Sequence, residues 1–188
     1  MATGINERKS GIQLTAALTR AMQNDDVLNP GMLSVKDGEA LWNSPSSGNS
    51  TSNNSKSCAS CHIRSSMKVV TSRYPAFDDQ LKRPVNLSQR INQCRQKHPS
   101  AAPLKAGSPE LLSLESFVAH PSRGMPVAPP VDRRLDAARQ RGQQRYNQRI
   151  GQLNLSCAQC HDSNSRSRLG SNRIPQAHPT GYPVYRLK

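Results

Sequence analysis

The clearest periodic segment is Glu110–Ala119. Leu111, Leu114 and Val118 recur there at helical spacing with Phe117 beside them, which predicts an amphipathic helix. A second helix is predicted to open at Pro84-Val85-Asn86-Leu87 and run through Ile91 to Cys94. Two further segments, Gly38-Glu39-Ala40-Leu41-Trp42 and Gly142-Gln143-Gln144-Arg145-Tyr146, share the form G-x-x-x-aromatic and are also predicted helical. The polar stretch before Cys58 is rich in Ser and Asn, and no strand-like alternation accompanies it. Pro121–Pro130 is dense in Pro and Gly and reads as a linker. These patterns predict an all-α chain. No run approaches the ~18 consecutive apolar residues of a membrane-spanning helix, and the N-terminal segment MATGINERKSGIQLTAAL has no apolar core of a secretory signal.

The order of these elements repeats. Downstream of the first G-x-x-x-aromatic helix lies Tyr74-Pro75-Ala76-Phe77, and downstream of the second lies Tyr182-Pro183-Val184-Tyr185. Two modules in tandem are therefore expected: an N-terminal extension over 1–36, a first module over 37–120, a linker over 121–137 and a second module over 138–188. In the first module two helices and Cys94 follow the Tyr-Pro segment. The same interval measured from Pro183 runs past Lys188, so the second module is expected to be incomplete and without a counterpart of Cys94.

Composition changes the picture in one respect. Only 34% of the 188 residues are hydrophobic and 4% aromatic. A core built from so few large side chains is thin, which calls for something other than side chains at its centre. The net charge of +14 favours anionic partners. Nucleic acid is disfavoured among these, because aromatics are scarce and no recognisable binding motif is present.

The five cysteines supply the missing filler. Cys58-Ala59-Ser60-Cys61-His62 and Cys157-Ala158-Gln159-Cys160-His161 are both C-x-x-C-H, the attachment signature of c-type heme. Two thiols on one short turn reach the two vinyl groups of the porphyrin edge, and the adjacent His is carried beneath the ring to the iron. A zinc ribbon would repeat C-x-x-C after ~15–20 residues, whereas these two pairs stand 99 residues apart. A redox dithiol would be expected near a βαβ pattern, which is missing here. Two covalent hemes would also fill the thin core. For the iron face opposite His62, Met125, His98, His120 and the odd cysteine, Cys94, all remain candidates, while Met67 lies too near His62 in sequence to reach that face. Cys94 could equally be a free buried thiol or half of an intermolecular disulfide.

Several runs, taken in order, resemble the SoxA family of diheme cytochrome subunits. They are NDDVLNPGMLSVKDGEALW (Asn24–Trp42), KSCASCH (Lys56–His62), RPVNLSQRINQCR (Arg83–Arg95), SRGMPVAPP (Ser122–Pro130), GQLNLSCAQCHD (Gly151–Asp162) and IPQAHPTGYPVYRL (Ile174–Leu187). The resemblance implies two hemes. The first would be attached at Cys58 and Cys61 with His62 on the iron and Cys94 as distal thiolate; the second would be attached at Cys157 and Cys160 with His161 on the iron. It implies a periplasmic protein paired with the monoheme cytochrome SoxX. Such a subunit couples thiosulfate oxidatively to a cysteine of the carrier protein SoxYZ, an L-cysteine S-thiosulfotransferase activity, and passes electrons through heme to a small cytochrome c. The family's catalytic persulfide cysteine, with an arginine just before it, follows the YPVYRL run and would lie beyond Lys188, so no catalytic residue is expected within the chain. The alternative expectation is a non-catalytic c-type electron carrier. Arg139, Arg141, Arg145 and Arg149 before the second motif, and Arg166, Arg168, Arg173 and Arg186 after it, suggest a positive rim for thiosulfate or an acidic partner; solvated surface is the plainer reading for any one of them. His178 could line the second heme pocket or cap the surface.

Overall fold

A computed structural model of the protein describes residues 11–45, 56–97 and 101–176. The chain is mainly helical. Five α-helices are found among these residues, α1 (Ala17–Asn24), α2 (Gly31–Asn43), α3 (Leu87–Lys97), α4 (Pro109–Ala119) and α5 (Asp136–Asn147). Two small antiparallel hairpins join them, β1 (Ala76–Asp78) with β2 (Arg83–Val85) and β3 (Arg168–Leu169) with β4 (Asn172–Arg173). Of the described residues, 29–132 form one compact unit, and 11–28 with 133–176 form another.

The first unit is built on the contact between α2 and α4. Asn29 Oδ1 accepts the Gly31 N–H at 2.9 Å, which starts α2 just after Pro30. The helix therefore begins ahead of the expected module boundary at 37. It buries Val35, Gly38 and Trp42, one stripe at helical spacing. Helix α4 is capped by Ser108, whose Oγ accepts the Leu111 N–H at 3.3 Å, and carries Pro109 and Glu110 in its first turn. It buries Leu111, Leu114, Phe117 and Val118. The two helices meet at Gly38, where a Cβ would lie 2.6 Å from the Ser113 carbonyl carbon, 2.7 Å from Phe117 Cβ and closer still to the Ser113 oxygen. Only the missing side chain lets the backbones approach this far. Trp42 then stacks obliquely on Phe117, with ring centroids 5.5 Å apart. Met67, Leu87 and Leu114 complete the core around them.

Helix α3 starts later than the sequence pattern predicts. Arg83–Val85 is strand β2, paired with β1 in the register Ala76↔Val85, Phe77↔Pro84 and Asp78↔Arg83. Pro84 disfavours helical backbone at Arg83 before it, and the pairing of Val85 with Ala76 keeps the segment extended to Val85. The helix opens only after a reciprocal cap: Asn86 Oδ1 accepts the Gln89 N–H at 2.9 Å and Gln89 Oε1 accepts the Asn86 N–H at 3.0 Å.

The second unit is thinner. Leu135 is its one buried apolar side chain among the described residues, whereas Leu18, Ile150, Leu153, Leu155 and Leu169 are exposed. Helix α5 buries no residue and begins at Asp136, inside the stretch expected to be linker. The small hairpins and this early start are not legible as periodicity, because two- and three-residue strands carry no measurable alternation. The second Tyr-Pro segment, Tyr182–Tyr185, lies outside the described residues.

The two glycines of the repeated motif differ in surroundings, since a Cβ on Gly142 meets nothing within 4 Å among the described residues. Gly38→Ala should destabilise the protein by on the order of 1–3 kcal/mol through overpacking. Gly142→Ala should stabilise it by about 0.5–1 kcal/mol through helix propensity. Urea denaturation of the two variants beside the parent checks both signs.

Candidate heme-attachment sites

In the first unit, Cys58, Cys61 and His62 occupy one tight turn. The Cys58 carbonyl accepts both the Cys61 N–H at 3.1 Å and the His62 N–H at 2.9 Å. That winding places the two thiols and the imidazole on consecutive edges of a single loop. The turn is tied to α2 because the Trp42 carbonyl accepts the Ala59 N–H at 3.1 Å. The Trp42 ring also sits 5.9 Å from the His62 ring, centroid to centroid. Just past the motif, the Arg64 guanidinium lies 4.8 Å from the centroid of Phe117 and reaches Glu39 on α2 at 3.8 Å. The loop is thus fastened at both ends to the α2–α4 crossing.

Cys58 packs against the core, while Cys61 and His62 are exposed. Burial raises the Cys58 thiol above its ordinary pKa. The nearby Arg95 opposes the rise, and Cys94 and Cys61 add to it. Cys94 and Arg95, both on α3, thus act on the Cys58 thiol although Cys94 stands 33 positions beyond Cys61. Met67 is buried in the core and its carbonyl accepts the Ser122 hydroxyl. Met125 and His120 are half-buried, in the segment after α4. His98 lies outside the described residues.

In the second unit, Cys157 is exposed and Cys160 and His161 are half-buried. Their turn starts on a reciprocal cap: Gln159 Oε1 accepts the Ser156 N–H at 2.8 Å and Ser156 Oγ accepts the Gln159 N–H at 3.3 Å. A wide helical turn over Gln159–Ser163 follows. His161 Nδ1 lies 2.8 Å from the Pro175 carbonyl oxygen. That oxygen can only accept, so Nδ1 donates to it, and in the neutral ring the lone pair then stands on Nε2. Tyr146 on α5 donates its hydroxyl to Asp162 Oδ1 at 2.9 Å, joining the helix to the turn. Of the arginines around this motif, Arg139 pairs with Asp136 at 3.0 Å, and Arg168 stands directly across from Arg173 in the hairpin. Arg141, Arg145 and Arg149 are exposed, and Arg186 and His178 lie outside the described residues.

Both donor sets fit a c-type heme. Each offers two thiols and a following imidazole on one turn, and His161 is already held in the ligating tautomer. Apolar surface stands ready beside each: Val70, Tyr74, Ile91 and Leu104 are only partly buried in the first unit, and Ile150, Leu153 and Leu155 are exposed just before Cys157. Among the described residues no three His, Cys, Asp or Glu side chains gather as a cage for a bare ion. The Ser156–Gln159 cap is open to sequence reading as S-x-x-Q. The Pro175 carbonyl and the Trp42 carbonyl are not, because backbone acceptors leave no mark in residue identity.

The covalent turn and its helical setting define a c-type cytochrome domain. Residues 37–127 match the family described as SoxA/TsdA, cytochrome c domain. The chain is 35% identical over 185 residues to the L-cysteine S-thiosulfotransferase subunit SoxA of Pseudaminobacter salicylatoxidans, covering 97% of this chain and 63% of that one. It is 30% identical to the protein of the same name from Rhodovulum sulfidophilum, over all of this chain and 64% of the relative. The crystal structure of SoxXA from P. pantotrophus superposes with a TM-score of 0.81 at 28% identity, over 90% of this chain and 62% of that one. Residues 37–127 are thus a SoxA/TsdA-type cytochrome c domain, of the covalent-heme class, and the chain as a whole is similar to SoxA proteins. It spans just under two-thirds of the length of these two SoxA relatives.

Protein produced without heme attachment should show the difference in thiol environment directly. Iodoacetamide at mildly alkaline pH should modify Cys61 well before Cys58, because the raised pKa leaves less Cys58 thiolate at any given pH. Peptide mass mapping over a time course checks the order, and the gap should narrow as the pH rises.

Proposed function

We propose that the chain acts as a SoxA-type diheme cytochrome subunit that couples thiosulfate to a cysteine on a SoxYZ carrier, in the periplasm and in complex with a SoxX cytochrome. The observation that carries this reading is the likeness to SoxA at 35% identity across 97% of the chain, an extent that takes in both C-x-x-C-H turns. In this reading there are two cytochrome c-like modules, over 37–120 and 138–188. Cys58 and Cys61 would form the thioethers of one heme and His62 would ligate it, with Cys94 as a second, thiolate ligand. Cys157, Cys160 and His161 would do the same for the second heme. When bound, heme supplies an iron that accepts one electron at a time and hands it to a small cytochrome c.

The chain's own residues account for the rest. Joining thiosulfate's outer sulfur to the carrier thiol forms one S–S bond, releases the thiol proton and frees two electrons. The Pro175 carbonyl accepts from His161 Nδ1, which orients the ring and leaves Nε2 as the nitrogen that would ligate. The Ser156–Gln159 cap fixes where the second turn begins, and Tyr146 ties it to α5 through Asp162. Arg141 and Arg145 on α5, with Arg168 and Arg173 on the hairpin, give this unit a positive surface that draws in a dianion and steers an acidic partner.

Protein made in a host that matures c-type cytochromes should carry two hemes by pyridine hemochrome and mass. Mixed with SoxX and SoxYZ, its hemes should become reduced when thiosulfate is added and stay oxidised when SoxYZ is left out. Two covalent hemes without thiosulfate-dependent reduction would leave an electron carrier in place of the transferase. A colourless protein of unaltered mass would overturn the cytochrome reading itself.

A further inference from the structure

We infer that Asp78 is a positioning residue for the Cys94 thiol, fixing the rotation of α3 that turns this cysteine towards the first heme-attachment loop. The inference rests on the proposed reading of Cys94 as a ligand, with His62, of the first heme. Asp78 ends strand β1 and is 3% exposed. Its Oδ1 accepts the backbone N–H groups of Gln80 at 3.0 Å and Leu81 at 2.7 Å, which locks the carboxylate into the hairpin turn. The orientation of Oδ2 is then fixed. It accepts from Arg90 Nη2 at 2.9 Å and from Gln93 Nε2 at 3.3 Å.

Arg90 and Gln93 lie three residues apart on α3, one above the other on the same face. Cys94 is the residue after Gln93 and one turn from Arg90. A helix advances about 100° per residue, so holding Arg90 and Gln93 against one carboxylate sets the direction in which Cys94 projects. The far flank is held separately: Asn92 Nδ2 donates to the Leu104 carbonyl and Asn92 Oδ1 accepts the Leu104 N–H, both at 2.9 Å. Between these two anchors Cys94 stands one turn beyond Ile91, which packs on α3 against the same core that Cys58 packs against.

The helix does not need Asp78 in order to form. Its first turn is closed by Asn86 and Gln89, and Leu87 is buried in the core. Loss of the carboxylate therefore frees α3 to roll about its axis rather than to melt. Gln93 Oε1 is buried with no hydrogen-bond partner among the described residues. The side-chain hydrogen bond of this amide is thus the one that Nε2 gives to Asp78, as a residue retained for its grip on that carboxylate would show.

The test uses the heme-loaded full chain and the low-spin ferric EPR spectrum. The Cys94→Ala variant defines the thiolate component as the part of the spectrum that it removes. Asp78→Ala and Gln93→Leu should each split or partly lose that component and raise the potential of the same heme, and Asp78→Glu should restore part of it. Gln93→Leu keeps the Asp78–Arg90 ion pair, so it decides the matter if Asp78→Ala fails to accumulate. A thiolate component unchanged in Asp78→Ala and Gln93→Leu, but lost in Cys94→Ala, would overturn the positioning role alone. No change in Cys94→Ala would overturn the ligand assignment beneath it.

Discussion

The close crossing of α2 and α4 at Gly38 is the constraint on which the first unit depends. With no side chain at that point, the Ser113 backbone and Phe117 press directly on α2, and Trp42 is brought over Phe117 one turn further on. Everything that places the attachment loop follows from this. The Trp42 carbonyl takes the Ala59 N–H inside the C-x-x-C segment, and Arg64 reaches back over the Phe117 ring. A shift of either helix would move the loop that carries Cys58, Cys61 and His62. Packing of two helices and placement of the donor atoms are one event here.

The two units hold their C-x-x-C-H turns by different means. The first packs Cys58 against a side-chain core of Trp, Phe, Leu and Val. The second has Leu135 as its one buried apolar side chain among the described residues and positions its turn by hydrogen bonds instead: a reciprocal cap, a tyrosine–carboxylate link and a histidine held by a main-chain carbonyl. In the proposed diheme reading, the exposed Ile150, Leu153 and Leu155 await the cofactor as their partner, which accounts for a hydrophobic fraction of only 34%.

Much of this is legible in the amino-acid sequence. Helix α4 announces itself by the spacing of Leu111, Leu114 and Val118, and the two C-x-x-C-H turns state their chemistry in five letters each. The G-x-x-x-aromatic pattern marks both helices, but it cannot show that Gly38 is crowded while Gly142 is open, because that difference belongs to the packing partner. The pattern starts α3 too early, since Pro84 looks equally like a helix opener and a strand residue until the pairing with Phe77 is seen. Asp78 gives no signal at all. It stands fifteen positions from Gln93, and a contact of that separation is invisible to local pattern.

The two reciprocal caps share a chemical property with a consequence of its own. Both use glutamine as the returning partner, Gln89 to Asn86 and Gln159 to Ser156. Amides and hydroxyls do not ionise, so these helical starts keep their bonds in acid. Asp78, the acidic anchor that joins the hairpin to α3, has its carboxyl pushed below the ordinary range, first by the Leu81 N–H and further by Gln93, Arg90 and the Gln80 N–H. Its contribution is complete above the usual carboxylate pKa and fades only as the pH drops through the depressed one. The hinge between hairpin and α3 is therefore built, like the two caps, to outlast mild acidification.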